Sequence, residues 1–293
     1  INQSCQLKII IATYFCFMNY SILGRNFIFC ALTLIIFSCN NGDKPSDNGN
    51  TGPAEPAPAL INYNLVDSYP HDTSFFTEGL EFHDGVLYES SGGLFQETPH
   101  PSAFGAVDLK TGKVQKKVEL DNKIYFGEGI TFMNGKIYQL TYKSQKGFVY
   151  DAKTFKKIKE FVYVGEGWSL THDSTRLIMS NGSSTIQFLD PDNLAVIGNV
   201  SVTDNNGPVS NINELEFVDG VLYANQWQTN YILKIDISTG KVLGKIDLSK
   251  LADEIRRISP DVDVPNGIAY NPDKKTFYVT GKLWPKMYEI KLD

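Results

Sequence analysis

Four glutamates stand where a carboxylate can move a proton: Glu78, Glu128 and Glu166, each followed by glycine, and Glu214, preceded by Asn213. They recur at a spacing of about 40–50 residues, each at the head of a strand-like segment. If the positions are equivalent in a closed ring, the four carboxylates converge on one mouth. Clustered carboxylates cannot all ionise cheaply, so one is expected to carry a raised pKa and serve as a general acid–base near neutral pH. The competing reading is structural: a carboxylate at a strand start bonds amides of the next strand, and spacing alone does not choose between the two. Residues two apart on a strand share a face, which places Phe76 with Glu78, Phe126 with Glu128 and Trp168 with Glu166. Trp168 and Trp227 have small or polar neighbours (Gly167, Ser169, Gln226, Gln228), whereas a tryptophan between blades is usually packing. Lys282 follows an apolar strand and is either a solvated rim charge or a cation aimed at the mouth. His71, His83, His100 and His172 form no metal pair at helical spacing and read as solvated loop residues. No GxSxG, HExxH, Walker or dinucleotide fingerprint is present.

The elements that must position these residues repeat five times. Glu78-Gly79-Leu80, Glu128-Gly129-Ile130, Glu166-Gly167-Trp168, Asn213-Glu214-Leu215 and Asn266-Gly267-Ile268 each precede a second apolar run. Asp84-Gly85, Asn134-Gly135 and Asp219-Gly220 are tight-hairpin signals, since both central residues of a type I′ turn need positive φ. A second hairpin follows, at Asp108 to Gly112 and at Asp236 to Gly240, with Asp151 and Asp190 opening its counterparts. Two hairpins make a four-stranded antiparallel blade, so residues 61–293 are predicted to be an all-β, five-bladed β-propeller. The last unit is one strand short. Tyr63-Asn64-Leu65-Val66 is predicted to supply that strand and close the ring.

The front of the chain is built for targeting. From Met18, Arg25 precedes an apolar run over residues 27–37 and then Ser38-Cys39, so residues 18–38 read as a secretory signal. Ile36-Phe37-Ser38-Cys39 resembles a lipobox, which makes Cys39 the lipidated mature terminus of an exported bacterial lipoprotein. An uncleaved anchor is the alternative. Residues 1–17 lie upstream of a plausible start. Residues 39–60, rich in Asn, Gly, Asp and Pro, read as a disordered tether. All four cysteines (Cys5, Cys16, Cys30, Cys39) precede the propeller, so a disulfide, a cysteine metal site or a cysteine nucleophile is excluded there. A formal net charge of −6 without a basic cluster argues against nucleic acid.

Several segments together resemble the plant and bacterial type of glutaminyl cyclase. They are Tyr69-Pro70-His71-Asp72 with Phe75-Phe76-Thr77-Glu78-Gly79, then Tyr125-Phe126-Gly127-Glu128-Gly129, Gly165-Glu166-Gly167-Trp168, Asn213-Glu214-Leu215-Glu216, Trp227-Gln228-Thr229, and Thr280-Gly281-Lys282-Leu283-Trp284-Pro285. The resemblance implies a five-bladed propeller that cyclises the N-terminal glutamine of peptides or proteins and releases ammonia, with no metal or other cofactor. It maps the acid–base role onto Glu128, with Lys282 or Asn213 stabilising the oxyanion, and the pocket onto Phe76, Glu78, Phe126, Tyr142, Trp168 and Trp227. The chain departs from the family in three places. Glu78 stands where glutamine is common, Tyr142 where tryptophan is common, and the segment from Leu94 to Pro101 is longer than usual and lacks an arginine. A monomer tethered to a membrane through Cys39 is expected. The rival readings are a calcium-dependent propeller lactonase or esterase using Asn213, Glu214 and Asn266, and a non-catalytic propeller that binds peptide or glycan.

Overall fold

The computed structural model describes residues 55–94 and 100–293, which hold the propeller; the signal, Cys39 and most of the expected tether lie outside the described residues. Strand β1 (Ala59–Ile61) and strand β2 (Tyr63–Pro70) come first and belong to the last blades. The first blade is β3 (Thr77–His83), β4 (Val86–Ser91), β5 (Ala103–Val107) and β6 (Val114–Glu119). The second is β7 (Gly127–Met133), β8 (Lys136–Thr141), β9 (Lys146–Asp151) and β10 (Lys157–Val162). The third is β11 (Ser169–His172), β12 (Leu177–Ser180), β13 (Thr185–Leu189) and β14 (Val196–Ser201). A two-residue pair, β15 (Thr203–Asp204) with β16 (Gly207–Pro208), leads to the fourth blade. That blade is β17 (Ile212–Val218), β18 (Val221–Gln226), β19 (Tyr231–Asp236) and β20 (Val242–Asp247). Helix α1 (Ser249–Ile258) then precedes β21 (Pro265–Asn271), β22 (Thr276–Gly281) and β23 (Lys286–Leu292) of the fifth.

The fifth blade is completed by β2, antiparallel to β23 from Tyr63 against Leu292 to Pro70 against Lys286. The strand that opens the domain therefore closes the ring, as the repeat pattern predicts. The inner strands β3, β7, β11, β17 and β21 each touch the next, and β21 returns to β3. Burial follows position in the blade. Strand β7 is buried along its whole length, while the outer strand β10 alternates between exposed and half-buried residues. The hairpins form for the predicted reason: Asp84 and Gly85 have φ of 49° and 76°, and Asn134 and Gly135 have 53° and 71°. The second turns are held by their aspartate. Asp151 Oδ1 accepts the amides of Lys153 and Thr154 and the Thr154 hydroxyl, a local motif that competes well against other conformations.

Two features go beyond the predicted architecture. Strand β1 adds a fifth, parallel strand to the edge of β20, pairing Ala59 with Gly244 and Ile61 with Ile246, so Ala59 and Leu60 of the expected tether are part of a sheet. Helix α1 buries Leu251, Ala252 and Ile255 against a core that includes Trp284 and Tyr288. One apolar stripe on an otherwise charged ten-residue segment suffices to dock it.

Candidate active site

The inner strands do not run regularly at their heads. The register of β3 on β4 shifts between Thr77 and Gly79, that of β7 on β8 between Gly127 and Ile130, that of β17 on β18 between Ile212 and Leu215, and that of β21 on β22 between Pro265 and Ile268. Glu78, Glu128, Asn213 and Asn266 all fall inside these irregularities, where a bulge re-aims a side chain that simple alternation would send elsewhere. The adjacent glycines have a steric reason. A Cβ on Gly129 would lie 2.6 Å from Ser169 Cα, and one on Gly79 would lie 3.0 Å from Gly129 Cα. Only glycine lets the inner strands crowd this closely at the axis.

Neighbouring blades hold the bulges in place. Ser90 Oγ of the first blade donates to Glu128 O of the second at 2.6 Å, and Ser180 Oγ of the third donates to Asn213 O of the fourth at 2.7 Å. Asn225 Oδ1 accepts Gly267 N at 2.9 Å, and Asn266 Nδ2 donates to Thr77 O at 2.9 Å. Sequence reasoning missed Ser90, Ser180 and Asn225. Their signal is that the second strand of several units ends in Ser or Asn, at Ser90, Ser180 and Asn225.

The result is a cavity of about 150 Å³ lined by Phe76, Glu78, Phe126, Glu128, Tyr142, Trp168, Asn213, Trp227, Asp263 and Lys282. All nine residues singled out for catalysis or binding thus surround one space. Asp263, the tenth, was not anticipated; it lies in the irregular segment between α1 and β21, where no periodicity marks it. Trp168 and Trp227 meet edge to face at 5.4 Å, and Phe76 and Phe126 do the same at 6.2 Å. Tyr142 extends the wall at 5.8 Å from Phe126. His100 stacks on Phe76 at 5.7 Å; residues 95–99, which make up most of the long segment ahead of it, lie outside the described residues. Trp284 is 1% exposed and belongs to the core, so the three tryptophans divide between pocket and packing.

At the floor, Lys282 Nζ pairs with Glu78 Oε1 and lies 4.4 Å from the Phe76 ring centre. The lysine is therefore aimed inward, not a rim charge. Asn266 Nδ2 reaches Glu78 Oε2 at 3.3 Å, so both oxygens of Glu78 are engaged. Glu128 is 4% exposed, within hydrogen-bonding reach of Glu78. Burial first, and then the neighbouring Glu78 charge, push the Glu128 carboxyl well above the usual carboxylate range. Burial also raises Glu78, against the opposing pull of Lys282. The two buried carboxyls therefore resist ionising together.

Two of the four glutamates do not converge. Glu166 accepts Trp168 Nε1 at 2.9 Å and faces Lys143 at 3.9 Å, orienting the indole from outside the cavity. Glu214 accepts the amides of Leu80 at 3.2 Å and Ile268 at 2.7 Å, tying the fourth blade to the first and fifth. For Glu214 the structural reading holds, because the bulge turns Asn213 to the pocket instead. The solvated reading of the histidines fails for His71, which is buried with both ring nitrogens engaged. His83 and His172 sit at strand ends, His83 stacked on Phe132 at 4.3 Å. With Glu214 bonded to amides and Asn266 to Thr77 O and Glu78, the residues proposed for a calcium site are directed apart. Among the described residues no group of three or more His, Cys, Asp or Glu is placed to hold a metal.

The chain matches a family model described as glutamine cyclotransferase over residues 33–292. It is 39% identical over 232 residues to a glutaminyl-peptide cyclotransferase of Arabidopsis thaliana, covering 78% of this chain and 70% of that one. The crystal structure of Myxococcus xanthus glutaminyl cyclase superposes with a TM-score of 0.73 at 34% identity, covering 80% of this chain and 98% of that one. A match across nearly the whole propeller means that the chain belongs to the glutamine cyclotransferase family.

Proposed function

We propose that the protein cyclises the N-terminal glutamine of peptides or proteins to pyroglutamate, with Glu128 carrying the proton. The observation that carries this reading is a buried carboxyl, its pKa raised, facing a small aromatic cavity beside a second carboxyl already held by a lysine. The cavity is below the roughly 300–1,000 Å³ of a drug-sized ligand site. It suits one terminal residue better than a length of peptide.

The reaction joins the α-amine nitrogen to the side-chain amide carbon and breaks that carbon's bond to the amide nitrogen. The amine must lose a proton and the departing nitrogen must gain one, leaving as ammonia. A carboxyl pair that shares one proton offers both the basic and the acidic form at one place, and ends the cycle with the proton it began with. Glu128 is the mobile member, since Glu78 is held by Lys282 and Asn266. Asn213 Oδ1 is buried without a hydrogen-bond partner and suits an N–H of the bound glutamine. Lys282 is the nearest cation for the oxyanion that develops on the amide carbonyl. Trp168, Trp227 and Phe126 wall the space in which the side chain folds back on its own amine, and holding that conformer supplies much of the rate.

Incubation with a glutamine-initiated peptide tests the reading. Loss of the mass of ammonia with a blocked amino terminus is the expected result. An unchanged peptide, or hydrolysis to glutamate, overturns it.

We also propose export and lipid attachment at Cys39, supported by the charged, apolar and small-residue order of residues 18–39. Cys39→Ser is expected to move the protein from the membrane fraction to the soluble one. Unchanged fractionation would favour the uncleaved anchor.

A further inference from the structure

Behind the pocket floor lies a second buried polar group that the proposed reaction does not use. His71 sits in the loop after β2 and Glu89 in β4, and neither side chain is exposed. His71 Nε2 is 2.9 Å from Glu89 Oε1, and His71 Nδ1 is 2.6 Å from Trp284 O. The Thr77 hydroxyl donates to the same Glu89 oxygen at 2.8 Å, while Glu89 Oε2 is buried without a partner. These contacts reach both halves of the site. Thr77 directly precedes Glu78, and Trp284 lies two residues after Lys282. The same loops are joined again by His71 N to Pro285 O at 3.0 Å and by Leu283 N to Phe75 O at 3.2 Å.

We infer that His71 and Glu89 form a proton-sharing brace that positions Lys282 and Glu78, so that losing its proton loosens the pocket floor. His71 is a positioning residue, since it touches neither the cavity nor the two side chains it sets. The argument rests on what each atom is able to do. A carbonyl oxygen only accepts, so Nδ1 must carry hydrogen. One further proton then lies between Nε2 and Glu89. If that proton leaves, the neutral imidazole keeps a single N–H, and either the Trp284 carbonyl or the Glu89 carboxylate is left facing a lone pair. A buried carboxylate in that position is costly. Among the described residues, the charged or titratable groups facing His71 are Glu89 from β4 and Asp72 from its own loop. Asp72 is itself paired at 3.3 Å with Lys113, from the turn before β6. Burial is the largest influence and disfavours the imidazolium, but the Glu89 charge and hydrogen bond, the Trp284 carbonyl and Asp72 together outweigh it, and the His71 pKa is raised. The brace is therefore lost as pH rises through that raised value.

The inference rests on the cyclotransferase reading and is tested with three forms of the protein. In His71→Gln one amide cannot bond both Trp284 O and Glu89; kcat is expected to fall about tenfold to a hundredfold with KM little changed, the usual consequence of displaced reacting groups. In Glu89→Gln the new amide can donate to a neutral His71 whose Nδ1–H stays on Trp284 O. That form is expected to keep most of the turnover His71→Gln loses, with the alkaline limb of kcat moved to higher pH. Hydrogen exchange at the Lys282, Leu283 and Trp284 amides is expected to quicken in His71→Gln, and in the parent at alkaline pH. A folded His71→Gln with parental kcat and exchange overturns the inference, as does a Glu89→Gln form with the parental alkaline limb. If the parent makes no pyroglutamate, the functional reading falls by itself. The exchange measurement then still decides the brace, with unchanged rates overturning it.

Discussion

Two groups of buried carboxyls occupy the axis of this propeller, and they are perturbed alike. At the mouth, Glu78 and Glu128 are raised, burial being the largest cause. Deeper in, Glu214 and Glu216 are pushed well above the usual range and Glu81 up to about 8, again by burial first. What separates the groups is their surroundings. Glu81 accepts the Phe132 amide at 3.0 Å, Glu216 the Tyr270 amide at 2.9 Å, and Glu214 two amides, so the inner three link strand to strand. Glu128 instead opens on a cavity with aromatic walls. A displaced pKa marks a buried acid; it becomes catalytic only where a substrate can stand beside it.

The largest effect expected from this contrast is at Glu128. Glu128→Gln keeps the shape and removes the proton carrier, so turnover should fall by about 10²–10⁴ with thermal stability nearly unchanged. Steady-state kinetics beside a melting curve check both halves. Glu214→Ala should do the reverse. Two buried amides lose their acceptor, costing about 2–4 kcal/mol of stability, while turnover per folded molecule changes little. If Glu214→Ala instead abolishes activity at parental stability, the division between mouth and axis is wrong.

Glu78→Gln sharpens the comparison within the mouth. It removes a negative neighbour, so the Glu128 pKa should drop and the acidic limb of the pH–rate profile should move to lower pH. Turnover should fall by no more than about tenfold, less than a proton carrier contributes. A loss as large as that of Glu128→Gln would assign the proton transfer to Glu78. The smallest effect is on the pH dependence of stability. Folded Glu81 keeps its proton up to about 8, where the unfolded chain releases it above its ordinary value of 4.5. The folded state binds more protons across that window, so stability falls as pH rises through it. Glu81→Gln should flatten the decline in melting temperature over that range; a parallel decline in both forms would remove Glu81 as its source.

Legibility in the sequence tracked how local the cause was. Asp84-Gly85 and Asn134-Gly135 specify their hairpins because positive φ is a property of the residues themselves. The repeat of Glu-Gly and Asn-Gly heads counted the blades, and the short last unit announced its missing strand. Residues 95–99, Cys39 and the signal segment stand outside the described residues, so the structure adds nothing to their reading. Helix α1 was not foreseen, since its stripe of Leu251, Ala252 and Ile255 is brief and needs Trp284 and Tyr288 to bury it. The parallel pairing of Ala59 and Leu60 with β20 needs an edge that exists only once the fourth blade has formed.

The sequence by itself determined the five-unit ring, its closure by the first long strand, and the residue types that crowd one mouth. Those follow from turn chemistry and period, which act within a few residues. Only the tertiary structure decided which carboxyl serves which purpose. Glu128 and Glu214 head equivalent strands, yet one meets a cavity and the other meets the amides of Leu80 and Ile268. His71, whose type and neighbours marked it as a solvated loop residue, is fixed by Trp284 and Glu89, distant in sequence. The physical reason is the same in each case. A carboxyl or an imidazole takes its role from the donors, charges and space around it, and in a propeller those arrive from other blades.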